Sequence, residues 1–329
     1  MNSRERVLAA LNMQIPDKVP FFDYFDDNIR RKLAGEDALD EAKFAKAIKM
    51  DAIYIEDYCA PFFCESHTQT TPDNHEREYI GEGLIKSEKA LSLMTLPDPH
   101  DESYYDAAKK FVEQYGDSDL ALYAALRPFG LFTTIFSMGY IDFSYALYEN
   151  RSLVEEVFDR YMEWNMVVVE KLQQCGFDFL VCYNDMAYRS GPMISPQIFR
   201  ELFLPKMQVL ANTIKLPWAF HSDGDLTMVF DDLLTLNMNA INPIEPGAMD
   251  IYKIKEKYGK QVCLWGNVDL RYTLTQGTPD EAAAETKDLI EKIGKDGGYI
   301  LASANSITDY CKPENVWAMI NAKEQYGVY

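Results

Sequence analysis

The sequence predicts an α/β protein built as a (β/α)₈ TIM barrel. Eight short apolar segments recur along the 329 residues, mostly separated by stretches long enough for a helix. Several of them are nearly continuous hydrophobic runs, as expected for parallel strands buried on both faces. Eight strands alternating with helices favour a closed barrel over an open doubly wound sheet.

The eight predicted strands share an apolar run opened by a turn signal. In chain order they are residues 19–25, 52–57, 120–127, 177–184, 216–221, 240–244, 261–266 and 298–304. A chain of this length can bury one large core, so we expect a single domain over residues 1–329.

Three of the predicted helices start at a capping residue followed by proline. A capping residue supplies a hydrogen-bond partner for an unpaired amide of the first turn, and proline has no amide hydrogen that would need one. These starts are Ser195-Pro196, Thr278-Pro279 and Lys312-Pro313. A longer helix is predicted over residues 153–172, which carry a stripe of apolar side chains on one face. Residues 76–88 depart from the alternation and predict a hairpin that turns at Gly81-Glu82-Gly83.

Composition restricts the partners. With 52 acidic and 32 basic residues the net charge is −20, which disfavours nucleic acid, anionic membranes and polyanionic small molecules. No apolar stretch is long enough for a membrane span, and the first residues lack a signal-peptide pattern. The six cysteines form no CxxC pair and are expected to be reduced. We therefore predict a cytoplasmic protein that acts on a small molecule.

In a barrel of this kind, polar residues at the carboxyl ends of the strands surround the active site. His221 ends the fifth predicted strand and precedes a turn-forming Ser-Asp-Gly-Asp segment. Asp185 ends the fourth strand, and Asn267 ends the seventh. We interpret these three as catalytic candidates. The alternative is that His221 only makes a hydrogen bond at the base of a loop.

A metal site is the sharper hypothesis. His221 would bind the ion together with Asp223, Asp185 or Glu201, because imidazole and carboxylate ligands with one open position suit a catalytic zinc. Glu201 lies in the first turns of the following helix, where it is either an inward ligand or a solvated rim residue.

Substrate-binding residues are expected at the same mouth. An aromatic lining would suit an apolar substrate, although each aromatic residue alone is more often part of the core. The candidates at or near strand ends are Asp23, Tyr24, Tyr183, Trp265 and Asn305.

Six segments of the chain resemble the uroporphyrinogen decarboxylase superfamily, in the order expected for it. They are SRERVLAAL at 3–11, PDKVP at 16–20, SPQIF at 195–199, HSDG at 221–224, WGNVD at 265–269 and PEN at 313–315. The resemblance implies a (β/α)₈ barrel and one of two activities. These are decarboxylation of uroporphyrinogen without a cofactor, and zinc-dependent methyl transfer to or from a corrinoid protein.

Departures from the superfamily patterns separate these activities. The decarboxylases carry an arginine-rich segment after the first strand that grips the porphyrinogen carboxylates. Here residues 21–27 read FFDYFDD, which does not fit an octacarboxylate. The coenzyme M methyltransferases bind zinc with a His-x-Cys pair and a later Gly-Cys-Gly cysteine. Here those places hold His221-Ser222-Asp223 and Ala304-Asn305-Ser306, so both thiolates are absent.

Zinc with oxygen ligands is a stronger Lewis acid than zinc with thiolates. The resemblance thus implies a methyltransferase that moves a methyl group from a small donor, such as an aryl methyl ether, to the cob(I)alamin of a partner corrinoid protein. A homodimer is also implied by the family. Two alternatives stay open: a carboxylate decarboxylase, for which Arg127 and Arg189 are the obvious basic residues, and a non-catalytic binding barrel.

Overall fold

The computed structural model describes residues 1–56, 58–70 and 76–329. Its centre is a curled sheet of seven parallel strands in the order β2-β5-β6-β9-β10-β11-β12. The strands, numbered along the chain, are β1 Tyr24–Phe25, β2 Ala52–Glu56, β3 Cys64–Thr70, β4 Glu76–Gly83, β5 Ala121–Leu126, β6 Phe179–Tyr183, β7 Ala187–Tyr188, β8 Gly191–Pro192, β9 Trp218–His221, β10 Ala240–Asn242, β11 Cys263–Trp265, β12 Tyr299–Ile300 and β13 Ser306–Ile307.

The segment that contains β1 fills the eighth position between the two edges of this sheet. Phe21 forms a parallel bridge with Leu301, just beyond β12, and its carbonyl accepts a hydrogen bond from the amide of Asp51, just before β2 (2.7 Å). β1 itself pairs in parallel with β13. The arrangement is that of a (β/α)₈ barrel, which confirms the predicted fold class.

Helices cover the outside of the barrel. They are α1 Ser3–Leu11, α2 Asp27–Ala34, α3 Glu41–Ile48, α4 Glu88–Leu91, α5 Asp106–Tyr115, α6 Leu131–Met138, α7 Tyr140–Glu149, α8 Arg151–Gln173, α9 Pro196–Ile198, α10 Leu204–Ala211, α11 Phe230–Leu234, α12 Ile251–Tyr258, α13 Pro279–Leu289 and α14 Pro313–Tyr326. Short 3₁₀ turns span Gly35–Leu39 and Glu102–Tyr105, and π turns span Phe199–Phe203 and Ile290–Gly294. In the described residues, no helix has the length and apolarity that a bilayer crossing requires.

Each predicted strand contains an observed one, although the observed strands are shorter. The largest differences are at the first and the eighth, where two-residue strands replace predicted runs of seven; around them, isolated bridges join Phe21 to Leu301 and Ser303 to Val268. The helix start predicted at Thr278-Pro279 is present, and it is a capping box: Thr278 accepts from the Glu281 amide and Glu281 accepts from the Thr278 amide. Asp57, at the end of the predicted second strand, lies outside the described residues.

The predicted turn at Gly81-Glu82-Gly83 is wrong. These residues belong to β4, which pairs antiparallel with β3. The glycines serve close packing instead of a turn, because a Cβ on Gly83 would lie 2.1 Å from the backbone nitrogen of Gly139. A Cβ on Gly81 would lie 3.1 Å from Glu65. Glycine marks a tight approach between backbones here as readily as it marks a turn.

A buried ionic network stabilises the end of the barrel at which the strands begin, directly before β2. The Asp51 carboxylate accepts from the Arg6 guanidinium (2.5 Å) and from the amide of Phe21 (2.9 Å), and lies 3.6 Å from the Lys323 ammonium. All three charged side chains are buried. This network joins α1, the first barrel segment and α14, so it stabilises the fold at the face remote from the catalytic end.

Candidate metal and substrate site

Three side chains that could bind a metal converge at the carboxyl ends of β6 and β9. His221 is the last residue of β9, Asp223 follows it in the next loop, and Asp185 follows β6, the strand that pairs with β9. One potential ligand atom from each lies within 4.8 Å of the others, and the His221 Nε2 is 3.8 Å from an Asp185 oxygen. Parallel pairing of adjacent strands brings their ends together in this way.

Asn242 fixes the orientation of the His221 ring. The Asn242 Oδ1 lies 2.5 Å from the His221 Nδ1, while its Nδ2 donates to the carbonyl of Trp265 (2.9 Å). Because the amide nitrogen is engaged with Trp265, the amide oxygen faces the imidazole and accepts its proton. His221 therefore carries hydrogen on Nδ1, and its Nε2, 3.8 Å from an Asp185 oxygen, is the ring nitrogen left to bind a metal.

Asp223 has one carboxylate oxygen without a hydrogen bond. Its Oδ2 accepts from the Asn305 amide (2.7 Å), whereas the buried Oδ1 has no hydrogen-bond partner among the described residues. Burial raises the pKa of the Asp223 carboxyl to about 6; Asp185 and Glu245 contribute to this rise, while His221 and Asn305 oppose it. An unsatisfied buried carboxylate oxygen beside a second carboxylate is the pattern that a bound cation would stabilise.

The loops around the cluster are held in fixed conformations. The Asp223 amide donates to the Asp185 carboxylate (3.0 Å), and the Gly224 amide donates to Glu245 (3.0 Å). Gly224 has a φ of +86°, and a Cβ there would lie 2.4 Å from the carbonyl oxygen of Ala187. The turn after Asp223 therefore requires glycine.

A cavity of about 350 Å³ opens beside the cluster. Its walls combine aromatic rings with a few charged and polar groups, contributed by Tyr24, Phe25, Asp26, Tyr54, Glu56, Arg127, Phe132, Tyr183, Asp185, His221, Asn305 and Ser306. Tyr183 meets the His221 ring edge to face, with centroids 4.9 Å apart. A small aromatic molecule bound here would contact the imidazole and the Asp185 carboxylate directly.

Three of the five predicted substrate-binding residues line this cavity: Tyr24, Tyr183 and Asn305. Trp265 does not, because it is buried in the barrel interior and its indole nitrogen donates to the carbonyl of Phe22 (3.3 Å). Asp23 does not either, because its carboxylate accepts hydrogen bonds from the backbone and hydroxyl of Ser303.

Asn267 and Glu201 also lie outside the cluster. Asn267 is buried, donates to the carbonyl of Ile244, and lines a separate cavity of about 490 Å³. Glu201 is half exposed and pairs with Arg151 (3.2 Å). It belongs to the π turn Phe199–Phe203, and the structure does not bring it to the His221 site.

Sequence reasoning missed Tyr54 and Phe132 in the cavity wall and the role of Asn242. For Tyr54 a signal was available, because strand side chains alternate and Tyr54 therefore shares a face with Glu56 at the strand end. No comparable signal marks Phe132, which lies on α6 beyond the barrel strands.

The fold and the site define a (β/α)₈ barrel with a histidine–carboxylate cluster at its catalytic face. The family model described as uroporphyrinogen decarboxylase (URO-D) matches residues 74–326, and the chain belongs to this family. The solved structure of a methyltransferase from Methanosarcina mazei is similar, with a TM-score of 0.78, 21% identity and coverage of 99% of each chain.

A second solved structure, a B12-independent methionine synthase from Shewanella sp. W3-18-1 in complex with selenomethionine, has a TM-score of 0.51 and 12% identity. It covers 89% of this chain and 84% of its own. At these identities both likenesses concern the fold. No curated protein matches the sequence.

Proposed function

We propose that the protein is a metal-dependent methyltransferase that moves a methyl group from an aryl methyl ether to the cob(I)alamin of a partner corrinoid protein. The observation that carries this proposal is the convergence of the His221 Nε2 with the Asp185 and Asp223 carboxylates beside an aromatic cavity. The family, and the resemblance of the motifs to its methyltransferase branch, support the same reaction class.

Zinc fits the donor set. One imidazole and two carboxylates supply three ligands and leave one coordination position for the substrate. The Asp223 Oδ1, which has no hydrogen-bond partner among the described residues, would gain the ion as a partner. When bound, the ion would act as a Lewis acid that neutralises the negative charge an ether oxygen acquires as its bond to the methyl group breaks. Such a leaving group departs poorly without this charge stabilisation.

The residues of the chain have separate tasks in this scheme. Tyr24 and Tyr183 present ring surfaces to an aromatic donor. Asn242 holds the His221 imidazole in one tautomer, and Asn305 holds the Asp223 carboxylate towards the cluster. These contacts fix the ligand positions before substrate arrives, which lowers the reorganisation needed in the reaction.

The acceptor is proposed to reach the site from a partner protein at the open end of the barrel. A net charge of −20 favours a partner with a basic docking surface. The single domain over residues 1–329, the homodimer and the cytoplasmic location remain predictions alongside this proposal.

Decarboxylation of a porphyrinogen finds little support in the cavity. Arg127 is the one arginine among its described lining residues, and Arg189 pairs with Glu245 (3.5 Å). A substrate with up to eight carboxylates would need several convergent cations to offset the cost of burying them. We therefore expect no measurable porphyrinogen decarboxylation.

Metal analysis and an anaerobic assay test the proposal together. The purified protein should contain near-stoichiometric zinc, and His221→Ala should lose it, whereas His100→Ala, an exposed histidine remote from the cluster in sequence, should retain it. Loss of cob(I)alamin absorbance with the cognate corrinoid protein and a panel of methyl donors then reports methyl transfer. No metal after zinc supplementation, or failure of every donor, would count against the proposal.

A further inference from the structure

Among the described residues, Arg127 is the one basic side chain that lines the candidate cavity, and it forms no ion pair with any of them. Its guanidinium carbon lies 4.8 Å from the centre of the Phe62 ring, and its buried Nε makes no hydrogen bond to the described residues. Stacking on an aromatic face orients a guanidinium, and the N–H groups stay available because they lie in the plane of the guanidinium itself. The contact with Phe62 thus orients the side chain while its Nε stays without a hydrogen-bond partner among the described residues.

This lack of a partner is unusual for the chain. Among the arginines whose side chains are described, seven form ion pairs: Arg4, Arg6, Arg30, Arg151, Arg160, Arg189 and Arg200. The remaining described arginines are Arg31 and Arg271, both exposed, and the half-buried Arg127. With acidic residues in such excess, a half-buried arginine that pairs with no carboxylate of the described residues is a candidate to bind an anion from outside the chain.

Strand register places Arg127 at the same level of the barrel as His221. Leu126, directly before Arg127, is in register with Cys182, directly before Tyr183, and Tyr183 is in register with His221. Arg127 and His221 are therefore at the same level, two strand spacings or roughly 10 Å apart along the barrel wall. Tyr183 lies between them, so one aromatic ring could contact both ends at once.

We propose that Arg127 binds a carboxylate on the substrate, so that the methyl donor is an aromatic methyl ether carrying a single acid group, of the methoxybenzoate class. This inference rests on the proposed function for the methyl ether but not for the anion. A guanidinium and a carboxylate form a bidentate, charge-assisted pair. Glu56 and Asp26 line the same cavity and add negative charge. The site should therefore accept a substrate with one anionic group at Arg127 and disfavour substrates with a second anionic group.

Direct binding measurements with two isosteric probes test the charge recognition. The probes are 4-methoxybenzoate and the neutral 4-methoxybenzamide, titrated calorimetrically into zinc-loaded protein without a corrinoid partner. Wild type should prefer the benzoate. Arg127→Met, which keeps an apolar side chain against Phe62, should weaken benzoate binding roughly 10- to 100-fold, the range for one charge-assisted contact, and change benzamide binding little.

Two further variants separate recognition from damage to the fold. Arg127→Lys retains the positive charge and should recover part of the benzoate affinity. Arg31→Met removes an exposed arginine that forms no ion pair with a described residue, and it should change the binding of neither probe. Equal weakening of both probes by Arg127→Met, wild-type benzoate affinity in that variant, or no binding of either probe to wild type would overturn the inference.

The same variants distinguish this inference from the proposed function. If benzoate binding depends on Arg127 but no methyl transfer to cob(I)alamin occurs, the anion site stands and the reaction is wrong. If methyl transfer from neutral aryl ethers proceeds and Arg127→Met affects no donor, the reaction stands and the anion site is wrong.

Discussion

Replacement of Asn242 by alanine tests how the His221 ring is held. The change removes the acceptor 2.5 Å from the His221 Nδ1 and the donor to the Trp265 carbonyl, at a side chain that is 2% exposed. Two buried polar groups lose their partners, at about 1–3 kcal/mol each, so the free energy of unfolding should fall by roughly 2–6 kcal/mol. Loss of a hydrogen bond to a metal-binding histidine typically lowers metal affinity about 10- to 100-fold.

Asn239→Ala is a matched control at the other end of the same barrel segment. The Asn239 side chain likewise makes two hydrogen bonds, both with backbone groups: it accepts from the Trp218 amide (3.1 Å) and donates to the carbonyl of Leu11 (3.4 Å). It should lower the thermal midpoint without changing zinc affinity. Zinc affinity would be measured by competition with a chelator at a temperature where both variants are folded. Unchanged affinity in Asn242→Ala, or an equal loss in Asn239→Ala, would refute the proposed role of Asn242.

Two further predictions concern stability. Asp51→Ala leaves the Arg6 and Lys323 charges buried without the Asp51 carboxylate. The free energy of unfolding, measured by denaturant titration, should fall by about 3–5 kcal/mol. A fall below about 1 kcal/mol would show that the network is dispensable. Burial raises the pKa of Asp23 to about 7 despite its hydrogen bonds from Ser303, so the folded state binds its proton more tightly than the unfolded state. The stabilisation from this bound proton is fully present below about pH 4 and is lost as the pH rises through 7. Asp23→Asn should therefore flatten the dependence of the unfolding free energy on pH between those limits. An unchanged slope would contradict this role of Asp23.

The sequence was sufficient to predict the positions of the barrel strands, because strands buried on both faces are apolar throughout. The same logic led to His221, a histidine that directly follows such a run, and to Asp185 on the strand that pairs with it. Their proximity follows from strand order and does not depend on side-chain detail.

The sequence predicted less well which way a side chain faces, because this depends on alternation along a strand or on rotation around a helix. Tyr24 faces the cavity, while its neighbour Asp23 bonds Ser303 on the other side of the segment, as side chains that alternate must. Asn242 and Asn267 both follow apolar runs, and the sequence does not indicate which of them reaches His221. Glu201 lies on a helix that includes a π turn, where a regular period of 3.6 residues no longer predicts the face.

The hydrogen bonds of Asn242 connect three consecutive barrel strands, since His221 ends β9, Asn242 ends β10 and the accepting carbonyl belongs to Trp265 at the end of β11. The position of the imidazole is therefore a property of the assembled sheet, built when the barrel folds. In zinc fingers the metal creates the structure that holds it, so chelation unfolds them. For the proposed zinc site we predict the reverse order: the sheet positions the ligands before the ion binds, so a chelator should yield a folded apoprotein that rebinds zinc without refolding.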